Sequence, residues 1–273
     1  MGSTQHASAG DRITCVMVTR LAPDRQDRIR GAIAAFQAQT HQLRDLLVVI
    51  DPAVDTAGRR GLAEMIRGSG PAPIRVVEAA GTPSLGALRN LALDAAAGEV
   101  VCQWDDDDIH HPERLAAQLQ ALRRGGHEAV LLENLLQFFP ATRTLYWTNW
   151  RATEAGGHPG TLMLRRGAAA RYPEAGPEAS LGEDLAMAKA LIARGGLGTL
   201  AGSPHLFVYV SHGSNSWDDG HHRMLAERLA ISRGLLSRRE AQLRAGIAGL
   251  DLGPGPVRME GNNGPAFEIA PAV

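Results

Sequence analysis

The sequence has little that would mark a secreted, nucleic-acid-binding or membrane-spanning protein. Its 273 residues include two cysteines, and the formal net charge at pH 7 is −1. A charge this close to zero gives no bulk electrostatic attraction to nucleic acid or to an anionic membrane. No apolar run approaches the roughly 20 residues of a transmembrane segment, and residues 1–10 lack the apolar core of a signal peptide. Cys15 and Cys102 lie in apolar, strand-like runs, so we expect reduced thiols in a cytoplasmic protein.

What the sequence does contain is typical of one large α/β domain. Four short apolar runs alternate with segments of helical periodicity before residue 105. These runs are ITCVMV (13–18), LLVVI (46–50), IRVVE (74–78) and EVVCQW (99–104). The alternation predicts a parallel sheet with helices on both faces. Because ligands of such sheets bind beyond the carboxyl ends of the strands, Thr19, Arg20 and Asp51, which directly follow strands, are candidate binding residues.

The segment QWDDDDIHHPERL, residues 103–115, places four adjacent aspartates directly after the fourth run. A solvated helix start with one capping aspartate would explain one carboxylate and not four. An EF-hand loop beginning at Asp105 would need glycine and glutamate where His110 and Ala116 stand. Clustered carboxylates at this edge of the sheet favour a site for a divalent cation and a phosphorylated ligand.

Several motifs resemble family 2 glycosyltransferases of the GT-A fold, in the family's order, over about residues 13–218. The aspartate run resembles the family's D-x-D region, and LLVVIDP resembles the strand whose terminal aspartate, here Asp51, contacts the nucleotide base. GALRNLALDAAAGEVV resembles the helix with the Arg-Asn pair, GEDLAMAKAL the motif with the catalytic base, and VYVSHGSNSW the late histidine motif. Two departures, Thr19-Arg20 in place of a Tyr-Asn-type pair and Pro52 after Asp51, leave the nucleotide base open.

The resemblance implies a GT-A fold, which is Rossmann-like with a mostly parallel central sheet. It also implies metal-dependent, inverting transfer of a sugar from a UDP- or GDP-type donor to an acceptor hydroxyl, the acceptor being unknown. It assigns Asp184 as the general base, and Asp105, Asp107 and His212 as ligands of Mn²⁺ or Mg²⁺. The predicted nucleotide- and donor-binding residues are Thr19, Arg20, Asp51, Arg89, Asn90, Asp105, Asp106, Thr161 and Glu183.

Plainer interpretations of some of these residues stay open at this stage. Asp184 also fits an ordinary acidic residue at a helix start, His212 a histidine at a strand end, and Arg89 an ion pair on a helix surface. The adjacent pairs His110/His111 and His221/His222 are expected to be mostly solvated. Two other functions compete with the transferase: a nucleotidyltransferase, disfavoured because TRLAPDRQDR after the first strand lacks glycine, and a non-catalytic sugar-nucleotide-binding protein.

We predict the following organisation of the chain. Residues 1–10 form a disordered tail, and 11–218 form one domain with a nucleotide-binding half (11–108) and an acceptor and catalytic-base half (109–218). Residues 219–252 form a C-terminal helix, and 253–273 form a flexible tail. The helix carries six arginines against two glutamates. This favours a solvated face or a homodimer contact, with peripheral membrane contact as the alternative.

Overall fold

Two β-sheets with helices packed against them make up residues 11–22, 25–52, 54 and 56–270, which the computed structural model describes. In chain order the helices and strands are β1 (Ile13–Thr19), α1 (Gln26–Gln37), β2 (Arg44–Ile50), α2 (Thr56–Arg67), β3 (Ile74–Glu78), α3 (Leu85–Ala95), β4 (Val100–Gln103), β5 (Ile109–His110), α4 (Arg114–Gly125), β6 (Ala129–Leu132), β7 (Asn134–Phe139), β8 (Thr144–Asn149), β9 (His158–Arg165), α5 (Glu183–Ala193), β10 (Leu197–Leu200), β11 (Phe207–Val210), α6 (Asp219–Leu229), α7 (Arg233–Arg238), α8 (Glu240–Ile247), β12 (Val257–Gly261) and β13 (Gly264–Ile269).

The first sheet has the strand order β10-β6-β9-β4-β1-β2-β3. Its strands run parallel except β9, which pairs antiparallel with β4 and β6. Every residue of β2 and of β4 is buried, as expected for strands that are covered by helices on both faces. One core contains residues of α1, α2 and α4, and a second contains residues of α3 and α5. The prediction of a mostly parallel central sheet is therefore confirmed.

Register in the first sheet brings the ends of three strands to one edge. Thr19 pairs with Ile50 at the ends of β1 and β2, and Cys15 of β1 pairs with Cys102 of β4. Both cysteines are buried and free, in agreement with the expected reduced thiols. The segments after β1, β2 and β4 therefore meet where the sequence predicts a ligand site.

The second sheet has the order β13-β12-β8-β7-β11-β5 and mixed strand directions. Its short strand β5 follows the aspartate run and pairs antiparallel with β11, matching Ile109 to Val208 and His110 to Phe207. This ladder fixes the aspartate run beside the segment that follows β11. The second sheet therefore positions one side of the candidate site.

The predicted C-terminal helix over 219–252 is not a single helix, because the segment forms the three helices α6, α7 and α8. The helix stops where the backbone bonds to β8: the N–H of Ile231 donates to the carbonyl of Trp147 (3.0 Å), and Ala230 bridges Thr148. Ser232 then caps α7 by accepting the N–H of Leu235 (3.3 Å). The long basic helix on which a membrane-contact hypothesis depended is therefore absent.

The predicted flexible tail is also wrong over residues 257–269, which form the hairpin β12–β13 on the edge of the second sheet. Strand β12 pairs in parallel with β8, and Val257 and Met259 are buried in the core of this region. Val257 and Met259 alternate with more exposed residues, which is the pattern of a strand with one covered face. The glycine- and proline-rich sequence before β12 obscured this pattern. The predicted tail over 1–10 lies outside the described residues.

In the part of the chain that the structure describes, no helix combines the length and apolarity needed to cross a membrane.

Candidate active site

The aspartate run is a loop between β4 and β5 that is anchored by an aromatic residue. Trp104 is fully buried, and its indole N–H donates to the carbonyl of Ala32 in α1 (3.0 Å). Its ring stacks on that of His110, with 3.8 Å between ring centroids. The loop that carries the four carboxylates is therefore anchored on both sides by buried residues, Trp104 and His110, and packing in the core fixes its shape.

His110 and Arg114 support the loop through hydrogen bonds to backbone carbonyls, a role that the sequence did not predict. His110 Nε2 lies 3.1 Å from the carbonyl oxygen of Asp105, and its Nδ1 lies 2.5 Å from Nη1 of Arg114. Nη2 of Arg114 donates to the carbonyl of Gln103 (3.0 Å). Burial and the Arg114 charge lower the pKa of His110 well below its usual value, so the ring is neutral and can donate through Nε2 while accepting through Nδ1. The expected solvation of His110 is wrong.

Asp106 and Asp107 share an arginine but face different partners. Nη2 of Arg25 lies 2.8 Å from Asp106 and 2.5 Å from Asp107. Asp106 also accepts the hydroxyl of Thr19 at 2.5 Å, which shows that Thr19 positions a carboxylate from the end of β1. Burial and the neighbouring Asp107 raise the pKa of Asp106 to about 6.

Asp107 contacts His212 of the late histidine motif. Nε2 of His212 lies 3.0 Å from Oδ2 of Asp107. Burial alone would raise the pKa of Asp107, but the His212 hydrogen bond and the Arg25 charge lower it below the usual value. The ring of His212 is oriented on its other side by Ser214, whose hydroxyl lies 2.9 Å from Nδ1. A carboxylate and an imidazole thus converge at the edge of the two sheets.

Arg89 joins the aspartate run to the Glu-Asp motif at the start of α5. Its Nε donates to Glu183 at 2.9 Å, and Nη1 and Nη2 both lie 3.4 Å from Oδ1 of Asp105. The other oxygen of Asp105 accepts the amide of Gln103 (2.8 Å). Arg89 is buried beside the ring of Tyr172, so the alternative of a surface ion pair is excluded. Asp105 therefore faces Arg89 rather than His212.

Asp184 occupies the first turn of α5, next to this arginine-centred cluster. Its Oδ1 accepts the backbone N–H of Leu185 (2.7 Å), and its side chain is partly exposed. Burial and the neighbouring Glu183 raise its pKa to about 6, against the opposing effect of Arg89. A carboxylate with this pKa is ionised at neutral pH and more basic than an ordinary aspartate.

Two predicted binding residues point away from the cluster. The amide of Asn90 donates to the carbonyl of Tyr172 (2.9 Å) and to the Glu174 side chain (2.7 Å), and its oxygen accepts the Tyr172 N–H (3.0 Å). Thr161 is fully buried, and its hydroxyl bonds the N–H of Leu132 and the carbonyl of His158. Both side chains satisfy backbone groups, which is why they do not face the site.

A cleft of about 340 Å³ lies beside Asp51, lined also by Pro52 and by the Gly81–Pro83 segment after β3. Asp51 pairs with Arg20 at 3.3 Å, the guanidinium being largely exposed. These residues lie at the carboxyl ends of β2 and β3, away from the aspartate run. Residues 81–83 were not predicted, and their only sequence signal is the Gly-Thr-Pro turn after the third apolar run.

His158, Tyr209 and His222 form a second group that sequence reasoning did not place here. The His158 and Tyr209 rings lie 5.2 Å apart, and the hydroxyl of Tyr209 is 3.4 Å from Nε2 of His222. A side chain at Gly160 would contact His158 at 3.0 Å and the carboxylate of Asp105 at 3.6 Å, so this ring group borders the aspartates. His222 is buried, contrary to the expected solvation.

A Rossmann-like sheet with an acidic loop, a separate carboxylate of raised pKa and a cleft at its strand ends is the arrangement expected of a glycosyltransferase of the GT-A class. The sequence model of glycosyl transferase family 2 matches residues 14–167, more than half of the chain. The protein belongs to this family, and the predictions of family, fold and enzyme class are confirmed.

Solved structures share the fold at low sequence identity. The chain aligns with residues 1–349 of TarS from S. aureus at 14% identity and a TM-score of 0.55, covering 87% of this chain and 74% of that one. It aligns with the mannosyltransferase PcManGT from Pyrobaculum calidifontis, in complex with GDP-Man and Mn²⁺, at 16% identity and a TM-score of 0.57. That alignment covers 88% of this chain and 64% of PcManGT, so the chain spans less than two thirds of that enzyme. No curated protein sequence matches the chain.

Proposed function

We propose that the protein transfers a sugar from a UDP- or GDP-type nucleotide donor to an acceptor hydroxyl, with a divalent cation and with inversion. The observation that carries this proposal is the Arg89 bridge, which brings Asp105 of the aspartate run and the Glu183–Asp184 motif into one cluster. In sugar transfer the leaving diphosphate and the attacking hydroxyl both lie beside the reacting sugar carbon, so the residues that bind them must lie close together. Solved relatives in complex with UDP-GlcNAc and with GDP-Man and Mn²⁺ support a nucleotide-sugar donor.

The side chains around the aspartate run offer ligand atoms that fit Mn²⁺ or Mg²⁺. Asp106 and Asp107 already hold a cation, the guanidinium of Arg25, and Asp107 and His212 present an oxygen and a nitrogen 3.0 Å apart. Carboxylate oxygens suit both ions, and neutral imidazole favours Mn²⁺ of the two. We propose Asp107 and His212 as direct ligands, with Asp105 shared between the ion and Arg89. When bound, the ion would offset the charge that develops on the leaving diphosphate.

The other residues of the cluster have roles that follow from their contacts. Asp184 would accept the proton of the acceptor hydroxyl, since its raised pKa makes it a stronger base while leaving it ionised. Arg89 would place positive charge beside the diphosphate. Because Glu183 accepts the Nε–H of Arg89, we propose that it orients Arg89 rather than a sugar hydroxyl. Asp51 and the cleft beside it would receive the nucleoside.

Calorimetric titration of UDP, GDP and TDP tests this proposal, each with Mn²⁺, with Mg²⁺ and with a chelator. We expect one diphosphate to bind in the presence of the cation and to bind at least about tenfold more weakly with the chelator, because the aspartates then repel the diphosphate. Binding that depends on the base identifies the donor class. If none of the three binds with either cation, the proposed function is wrong.

His212→Ala should weaken the cation more than the nucleotide. His212 contacts Asp107 and lies 3.4 Å from Arg28, and none of its contacts reaches the cleft beside Asp51. We therefore expect a higher Mn²⁺ concentration for half-maximal binding, by at least about tenfold as for loss of a metal-site partner. Nucleotide affinity at saturating Mn²⁺ should change little. Equal losses of both affinities would assign His212 a structural role only.

A further inference from the structure

A second group of metal-ligating side chains lies at the far end of the β5–β11 ladder from the aspartate run. Within the described ranges, His111, Glu113 and His205 are the one group of three such residues whose ligand atoms all lie within 4.8 Å of one another. The two imidazole rings meet edge to face, with 4.9 Å between centroids. Glu113 is exposed and both histidines are half-buried. The group belongs to neither the proposed catalytic cluster nor the cleft beside Asp51.

We propose that His111, Glu113 and His205 form a zinc site that clamps the β5–β11 ladder. Two imidazoles and one carboxylate form a set of ligands that binds zinc in preference to Mg²⁺. Ligands of a tetrahedral zinc ion lie about 3.4 Å apart, given bond lengths of about 2.1 Å. The observed spacing therefore closes around one ion by side-chain rotation, with water in the fourth position on the exposed side of Glu113.

The backbone around the group is already fixed, which favours binding. The His111 N–H donates to the carbonyl of Leu206 (3.1 Å), so the segments that carry His111 and His205 are joined before any ion arrives. On the other side, Gly246 of α8 packs against His205, since a Cβ there would lie 2.8 Å from the ring. The ring of His205 is thus held between α8 and His111, and little side-chain freedom is lost when an ion binds.

One existing hydrogen bond opposes binding. Nδ1 of His111 accepts the N–H of Glu113 (3.1 Å). An ion on Nδ1 would replace this bond, and an ion on Nε2 would move the ring proton to Nδ1 and break it. His111 therefore exchanges a hydrogen bond for a metal bond. We expect weaker binding than at a four-ligand structural zinc site.

The position of the group gives the ion a structural role. Asp107 and His212 lie at one end of the β5–β11 ladder, and His111 and His205 lie at the other. Asp107 precedes β5 and His111 follows it, so the two residues lie at opposite ends of this strand. An ion that joins His111 to His205 would hold together the two segments that bring Asp107 to His212. It would stabilise the catalytic loop without touching the donor.

Zinc binding to the full-length protein tests this proposal independently of nucleotide. We expect one zinc ion per chain to remain after dialysis against low-micromolar ZnCl₂, measured by elemental analysis. At about a hundredfold excess of zinc over its Kd, the Tm should rise by roughly 5 °C. His205→Ala and Glu113→Gln should each weaken zinc binding at least about tenfold and remove most of that rise. Glu113 is exposed, so Glu113→Gln should fold normally.

Two further variants separate this site from other sources of binding. His221→Ala, a half-buried histidine outside the group, should retain the zinc ion, and Asp107→Ala should retain it even if nucleotide binding is lost. Loss of zinc in Asp107→Ala alone would place the ion at the aspartate run and overturn the proposal. Unchanged zinc binding in His205→Ala and Glu113→Gln, or no zinc in the unmodified protein, would overturn it as well. Zinc retention without any nucleotide binding would support this site while contradicting the proposed function.

Discussion

Asp184→Asn is expected to lower kcat at least about 100-fold while leaving the affinity for the nucleotide donor nearly unchanged. An amide has the shape of the carboxylate and can still accept the Leu185 N–H, so the start of α5 should be preserved. It cannot take a proton from the acceptor hydroxyl, and loss of a general base costs at least about 10²-fold. This corresponds to about 2.7 kcal/mol of activation free energy. Single-turnover kinetics at saturating donor would measure the effect.

The pH dependence of kcat gives a second measurement of the same role. As the proposed general base, Asp184 would act only as a carboxylate, and burial and Glu183 raise its pKa to about 6. Activity should therefore be full well above pH 6, fall to half near pH 6 and decline tenfold per pH unit below it. Burial and Asp107 raise the pKa of Asp106 to about 6 as well, but Asp106 contacts Thr19 and Arg25 and would affect donor binding. The decline in kcat at saturating donor should disappear in Asp184→Asn, while a decline in affinity should remain.

Asp94→Asn is the matched control for this variant. Asp94 is an exposed carboxylate on α3 that pairs with Arg171 at 2.6 Å. Its change to asparagine removes the same charge without touching the cluster, so kcat should stay within about twofold, as for most surface changes. Full activity of Asp184→Asn with a normal pH profile would exclude Asp184 as the base and direct the search to another carboxylate.

The strands β1, β2 and β4 of the first sheet were predictable because they are almost entirely buried. The runs that became these strands are largely apolar, and such runs have few alternatives once helices separate them. The second sheet was harder to predict because β5 has only two residues and β12 follows a segment rich in glycine and proline. The break after α6 depends on backbone bonds to β8, which is far away in sequence and sends no local signal.

The candidate site was predictable in its position and less so in its contacts. The motifs predicted that Asp107 and His212 share a cation and that Arg89 and Glu183 both belong to the donor site; in the structure Asp107 lies beside His212, and Arg89 lies beside Glu183. Spacing cannot tell whether a polar side chain faces a ligand or satisfies the backbone. Thr161, for example, accepts a hydrogen bond from the backbone N–H of Leu132. In the same way, an adjacent histidine pair looks solvated until one ring, that of His110, is found stacked on a buried tryptophan.

Asp107→Ala is expected to abolish cation-dependent diphosphate binding, with affinity at least about 100-fold lower at the same Mn²⁺ concentration. Removal of supporting partners of metal ligands already costs 10- to 100-fold. Asp107 is the carboxylate in contact with both His212 and Arg25, so its loss should cost no less. His212 would then lose the carboxylate with which it would share the ion, and Arg25 would lose one of its carboxylate partners. Titration calorimetry of the diphosphate identified above, with Mn²⁺ and with chelator, would measure the loss.

Asp108→Asn is the matched control, because it changes the adjacent carboxylate and should leave binding intact. Oδ1 of Asp108 accepts the N–H of Val210 (2.9 Å), and asparagine can accept the same bond. Burial and the neighbouring aspartates oppose ionisation of Asp108 and raise its pKa well above its usual value, so a neutral amide of the same shape should be tolerated. If both variants lose binding equally while their melting temperatures match the unmodified protein, the aspartate run acts through its summed charge. The assignment of Asp107 as a direct ligand would then be wrong.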